Sequence, residues 1–372
     1  MIFVLGVILC AVAVFFLMTK PYYGILVALG ATPIIAATWA TRFGNVSLNH
    51  VIGTAVPLLI VPRLLSTPHT AEWRQWRIVA SMFLFSAGLG SLALASAGKY
   101  FQSAETAIHA LNGFAGFFLL AVFYRSQEGL KHVTYCLLLA GIFPTVMAIF
   151  QAATGVVWYE RTAVGIARNV GLYHDAVSIK HFGLQTIIGI YLAFNYLRLR
   201  DWQRIALYGY AVLVLISVFN VYSKSALAIL ASWFLIWALC NRRFIGGAVI
   251  VAMTVGVNYM TNNYLLSSTL RIFWKEIAIR QGELDRRYML AGRIGVWEEL
   301  FARWEKETLI AQLIGTGKSI PAHNEFLRIL ITSGVVGLVA FLGVVVFVTL
   351  MLSSRVKTRN DPLCLAATFA FT

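Results

Sequence analysis

The chain has 372 residues, of which 59% are hydrophobic and only 12% charged, with a mean hydropathy of +0.78. A soluble globular domain usually carries about 25% charged residues, so this composition excludes that class. A net charge of +15 would point to nucleic acid in a soluble protein, but here most cations stand at the ends of apolar runs, where the positive-inside bias puts them. No nucleic-acid partner is expected.

Apolar runs fall at residues 2–18, 22–40, 51–65, 77–97, 106–124, 132–153, 182–198, 204–221, 225–240, 244–261 and 325–350. At about 1.5 Å rise per residue, such runs predict an all-α polytopic membrane protein of about 11–12 transmembrane helices. A β-barrel would show short alternating segments instead. The first run lacks the basic start and the Ala-x-Ala exit of a signal peptide, so it is expected to span. The last apolar stretch, 363–372, is too short to do so. Residues 1–154 read as N-terminal transmembrane helices. Residues 155–372 carry the polar loops, including a large extracytoplasmic loop at 262–320.

Orientation follows from the cations. Arg63/Arg74/Arg77, Arg125/Lys131, Arg198/Arg200/Arg204, Arg242/Arg243 and Arg355/Lys357/Arg359 occupy alternate loops and mark the cytoplasmic side. The loop at 154–181, the turn at 222–225 and the polar block before residue 323 are then outside. Run 51–65 contains Pro57 and Pro62; were it not to cross, only the N-terminal orientation would change. Cys10, Cys136, Cys240 and Cys364 show no paired spacing and read as buried thiols. Ser86, Gly90 and Ala97 read as small residues that let helices approach.

The outer loops hold cations that break the bias. Arg161 and Arg168 are either solvated loop charges or ligands of a bound anion, for which guanidinium offers planar, bidentate donors. Trp158, Tyr159 and Tyr173 suit the aromatic belt at a membrane interface. Lys224, in the turn between two apolar runs, either snorkels to water or makes a second anion contact.

In the polar block, Leu270, Phe273, Trp274 and Ile277 share one helical face, as do Leu290, Ile294, Trp297, Phe301 and Trp304. Both stripes read as packing faces. Arg293, one turn before Trp297, either projects inward or joins a surface ion pair. Gly315-Thr316-Gly317-Lys318-Ser319 lacks the first glycine of a phosphate loop, since position 312 is Gln, and no strand precedes it. The glycines read as a turn that delivers Pro321 and His323 to the next helix.

His323 is expected in the first turn of that helix, where the N-terminal dipole disfavours imidazolium and leaves a neutral base. The alternative is a structural histidine. No His-Glu-x-x-His spacing occurs, and His174 and His181 lack co-ligands, so no metal or other cofactor is expected.

Three pieces, in this order, resemble the O-antigen ligase and O-antigen polymerase superfamily of membrane glycosyltransferases. They are Arg168-x-x-Gly171-Leu172-Tyr173, then Gly292-Arg293…Trp297, then Gly315-x-Gly317…Pro321-Ala322-His323-Asn324-Glu325-Phe326-Leu327 with Gly334-Val335-Val336-Gly337-Leu338. The resemblance covers about residues 155–350. The chain departs from the pattern at Ser223-Lys224-Ser225, where the family often has Ser-Arg, and at His174-Asp175, where many members have Pro-Asn.

The resemblance implies that residues 155–372 form a catalytic region in a bacterial cytoplasmic membrane, with its site on the outer side. There it would perform an inverting, metal-independent transfer of a glycan from a polyprenyl-diphosphate carrier to a sugar hydroxyl. The implied partners are the lipid-linked donor, a glycan or glycolipid acceptor, and membrane lipid. The implied roles are His323 as base, Arg168, Arg293, Arg161 and Lys224 as diphosphate ligands, and Asn324 and Gly317 as supporting residues. Ligase and polymerase share this chemistry and differ in acceptor. A transporter of lipid-linked glycans would instead show broken helices with charges near mid-membrane.

Overall fold

The computed structural model describes residues 2–42, 44, 46–65, 71–123, 127–163, 166–241, 259, 267, 270–271, 273–316, 324–359 and 366. Apart from one small hairpin, the regular structure of these residues is helical. In chain order the helices are α1 (Ile2–Thr19), α2 (Pro21–Ala36), α3 (Leu48–Leu65), α4 (Ala71–Ser96), α5 (Tyr100–Phe123), α6 (Gln127–Thr154), α7 (Ala176–Tyr196), α8 (Asp201–Phe219) and α9 (Lys224–Asn241). The polar block then supplies α10 (Trp274–Arg280), a 3-10 turn (Arg286–Tyr288), α11 (Met289–Glu305) and α12 (Leu309–Ile314), before the long α13 (Glu325–Arg359). Strands β1 (Thr162–Ala163) and β2 (Ile166–Ala167) pair antiparallel between α6 and α7.

Among the described residues, six helices are long and apolar enough to cross a membrane: Ile2–Thr19, Arg77–Ser96, Gln127–Thr154, Ala176–Tyr196, Asp201–Phe219 and Glu325–Ser354. Pro21–Ala36, Leu48–Pro62 and Lys224–Ala238 are shorter apolar helices. A multi-pass membrane protein is the architecture these lengths support. The expected run at 244–261 lies mostly outside the described residues.

The chain divides into two compact units. The first comprises Met1–Ile52, Tyr124–Phe273 and Leu352–Thr372. Within it α1 lies against α2, α6 against α7, and α7 against α8. Lipid tails supply no hydrophobic drive between helices, so close packing of small residues and interhelical hydrogen bonds must hold them. Gly24 on α2 touches the backbone of Phe16 and Leu17, leaving no room for a side chain. Tyr22 Oη bonds His132 Nδ1 at 2.7 Å, and Cys136 Sγ donates to the Leu26 carbonyl at 3.1 Å. Cys10 and Cys136 are buried free thiols, as their spacing suggests. At one end, Ala37, Ala148, Val170, Tyr173, Ala176, Ile179 and Val221 form a buried cluster on which the loop between α6 and α7 is seated.

The second unit comprises Gly53–Phe123 and Trp274–Met351. Helices α4 and α5 pair through reciprocal bonds: Ser91 Oγ donates to the Ser103 carbonyl at 2.9 Å and Ser103 Oγ to the Ser91 carbonyl at 2.8 Å. A Cβ on Gly90 would lie 2.7 Å from Ser333 Oγ, so the small residues of α4 do receive a neighbouring helix, α13.

Helix α13 is broken. Gly334 has φ 69 and ψ −175 inside it. The backbone of Leu313 and Ile314 passes so close that any Cβ on Gly334 would overlap it. Gly315, at φ 113, meets Thr332 and Ser333 in the same way. Only glycine fits both demands, positive φ and backbone contact. A broken helix strands the carbonyls of its first segment, and Thr316 satisfies one of them, donating its N–H at 2.9 Å and its hydroxyl at 3.0 Å to the Ile331 carbonyl.

Candidate functional site

In the first unit, the loop between α6 and α7 folds back on itself as the β1–β2 hairpin. Its register pairs Thr162 with Ala167 and Ala163 with Ile166. The Arg168 N–H donates to the Arg161 carbonyl at 2.7 Å, which carries the ladder one step further and sets the two arginines directly opposite each other. Like charges in that relation repel. Each is steadied from elsewhere. Half-buried Arg168 donates Nε to the Val221 carbonyl at 2.8 Å. Exposed Arg161 donates Nε to the His174 carbonyl and Nη2 to His174 Nε2, both at 3.0 Å. Arginine has only donors, so that imidazole nitrogen accepts. Trp39 packs edge-on against His174 (4.5 Å between centroids) and Tyr159 (5.0 Å).

Tyr222, at φ 50, turns the chain into α9. Lys224 opens that helix, with Nζ 5.3 Å from the centre of the Phe273 ring, a cation–π arrangement. The hydroxyls of Ser223 and Ser225 lie 3.0 Å apart, and Lys180 Nζ donates to Ser225 Oγ at 3.3 Å. The turn at 220–225 therefore gathers Arg168 and Lys224 from the expected set together with Lys180, which sequence reasoning passed over. The signal was available. Lys180 sits near the start of α7, whose N-cap Asp175 accepts the N–H groups of Val177 and Ser178. A cation there opposes the helix dipole, which favours anions.

Tyr173 differs from expectation. It is fully buried rather than standing in the aromatic belt. Its hydroxyl and Asn169 Oδ1 are buried polar atoms for which no partner is found among the described residues. Burial pushes the Tyr173 phenol far above its usual range, so it stays protonated and serves packing.

In the second unit, Asp285 caps the 3-10 turn that leads into α11 by accepting the Arg287 N–H. Leu290 (φ 53) and Gly292 (φ 83) twist the start of α11, and Glu276 Oε1 accepts the Leu290 N–H at 3.1 Å. Arg293 follows and is exposed. Leu300 and Trp304 of α11 pack on Leu327 and Ile331 of α13. Gln312 Nε2 reaches the carbonyls of Trp304, Glu305 and Glu307 at 3.3, 3.0 and 3.2 Å, tying the end of α11 to α12.

Asn324 Oδ1 accepts the Leu327 N–H at 3.2 Å and so caps α13, which begins at Glu325. His323 and Gly317 lie outside the described residues.

The structure thus brings Arg161, Arg168 and Lys224 into one unit, with Lys180 beside them, and carries Arg293 and Asn324 on the other. Cationic donors bind phosphate oxygens well when fixed, and Arg168, Lys180 and Lys224 are also partly withdrawn from water. Among the described residues no group of three or more His, Cys, Asp or Glu side chains is arranged to hold a metal ion. No family model, curated protein or solved structure matches the chain.

Proposed function

We propose that the protein is a membrane glycosyltransferase of the O-antigen ligase type, acting outside the cytoplasmic membrane on a glycan carried by a polyprenyl diphosphate. The acceptor hydroxyl attacks the anomeric carbon, the bond from that carbon to the phosphate oxygen breaks with inversion, and the diphosphate leaves with the electron pair. His323 takes the hydroxyl proton. Arg168, Lys224, Arg161 and Arg293 stabilise the charge that develops on the leaving group, the task for which fixed cationic donors are most effective. Asn324 caps the helix that follows the base, and Gly317 is a supporting residue.

One observation carries the reading: Arg161 and Arg168 stand opposite each other on a hairpin, a relation that an anion would relieve. The order of the three sequence pieces that resemble the superfamily supports the same chemistry.

A transporter of lipid-linked glycans is the second reading, and the break at Gly334 favours it, since discontinuous helices mark transporter binding sites. Against it, the break is filled by the backbone of residues 313–315.

The test is the length of the glycan held on the lipid carrier in cells with wild type, Arg168→Ala or His323→Ala. Long polymers stranded on the carrier indicate a ligase, and accumulated single repeats a polymerase. A wild-type profile, with mutant protein at wild-type level, would sink the enzyme reading.

A further inference from the structure

Four consecutive backbone N–H groups, from Arg168 to Gly171, are all bonded, and half of those bonds end on one side chain. The Arg168 N–H goes to the Arg161 carbonyl and the Asn169 N–H to the Asn220 carbonyl, at 2.7 and 3.2 Å. The Val170 and Gly171 N–H groups both go to Gln151 Oε1, at 3.1 and 2.7 Å. Gln151 is buried in the last turn of the apolar helix α6, where an amide side chain is disfavoured unless it is bonded. Gly171 holds φ 55, and the two successive N–H groups converge on one oxygen, as in a backbone nest. Asn169 adds a parallel tether, donating Nδ2 to the Ala148 carbonyl at 2.5 Å, one turn earlier on the same helix.

We propose that Gln151 is a positioning residue for Arg168: it fixes the segment that carries the guanidinium, and so sets where that group meets an anion. The inference rests on the reading of Arg168 as a ligand of diphosphate. Gln151 acts through the backbone of Val170 and Gly171 and does not itself touch the ligand. Without its oxygen, two buried N–H groups lose their acceptor. They regain one only if the segment shifts toward water, and Arg168 shifts with it. A purely structural glutamine would behave differently, changing stability and leaving anion affinity alone.

The experiment is a double-mutant cycle on the full chain purified in detergent, with inorganic pyrophosphate binding read by titration calorimetry and thermal unfolding followed in parallel. Gln151→Met keeps the side-chain length and removes the acceptor. Gln151→Met and Arg168→Ala are each expected to weaken pyrophosphate binding about tenfold, and the double variant to bind no more weakly than Arg168→Ala alone. Losses that multiply would overturn the positioning role, as would Gln151→Met binding like wild type with only a lowered unfolding midpoint. Arg168→Ala binding like wild type, or no binding by the wild type, would sink the diphosphate reading and this inference with it. Should Gln151→Met not accumulate, Asn169→Ala cuts the second tether, leaves Gln151 in place, and enters the cycle with the same expectations.

Discussion

Thr316 donates twice to Ile331, through its N–H at 2.9 Å and its hydroxyl at 3.0 Å, and so clasps the chain on either side of Asn324. Thr316→Val keeps the shape and the N–H but loses the hydroxyl bond. A single intramolecular hydrogen bond contributes about 1 kcal/mol net, so Thr316→Val should lower the unfolding free energy by about that much, and Thr316→Ser should restore most of it. Thermal unfolding of the three purified forms decides. Equal midpoints would show that the hydroxyl contributes nothing.

Gly334→Ala should be far more damaging. The position needs φ 69 and would drive a Cβ into the Leu313 carbonyl. Strain and overlap together should cost about 3 kcal/mol or more. Gly88→Ala is the control, since nothing lies within 4 Å of its Cβ position. Comparable accumulation of both variants in the membrane fraction would contradict the break at Gly334.

Arg168→Lys should fail to replace arginine. Arg168 donates Nε to the Val221 carbonyl, and a lysine ammonium cannot reproduce the planar, bidentate fork of a guanidinium. Transfer from the lipid-linked donor should fall about tenfold, equivalent to about 1.4 kcal/mol of transition-state stabilisation, with donor KM rising. Full activity of Arg168→Lys would mean that charge alone suffices there.

Tyr173→Phe should be neutral or mildly stabilising at pH 7, because the hydroxyl is buried with no partner among the described residues. A separate effect appears in base. The folded phenol is raised above its ordinary value by burial, so its contribution is intact below about pH 10, where the unfolded phenol titrates. That contribution is lost as pH rises further, since the unfolded chain releases the proton first. Wild type should therefore lose stability above about pH 10 more steeply than Tyr173→Phe. Parallel pH profiles of unfolding would place the phenol in water.

Most of the helical layout was legible, because runs such as 2–18 and 132–153 are long and apolar, each with a cation at one end. The stripe from Leu290 to Trp304 likewise gave α11 its place. The break in α13 was hidden: Gly334 lies in an apolar run whose hydropathy does not change there, and only the distant backbone of Leu313 demands it. Gln151 was hidden for a related reason. It reads as one polar residue at a helix end, and its acceptor role exists only once Val170 and Gly171 fold onto it. Tyr173 misled because an aromatic ring suits a membrane interface and a buried cluster equally well, and sequence spacing does not separate them. Arg161 and Arg168 were found by the rule they break.

The clasp between Thr316 and Ile331 also turns the intervening chain into a ring of about sixteen residues, and the entropy of closing a ring grows only with the logarithm of its length, about 0.6 kcal/mol per doubling. Opening the clasp therefore releases the whole ring at once, so the two residues that close it restrain more of the chain than their own contact suggests.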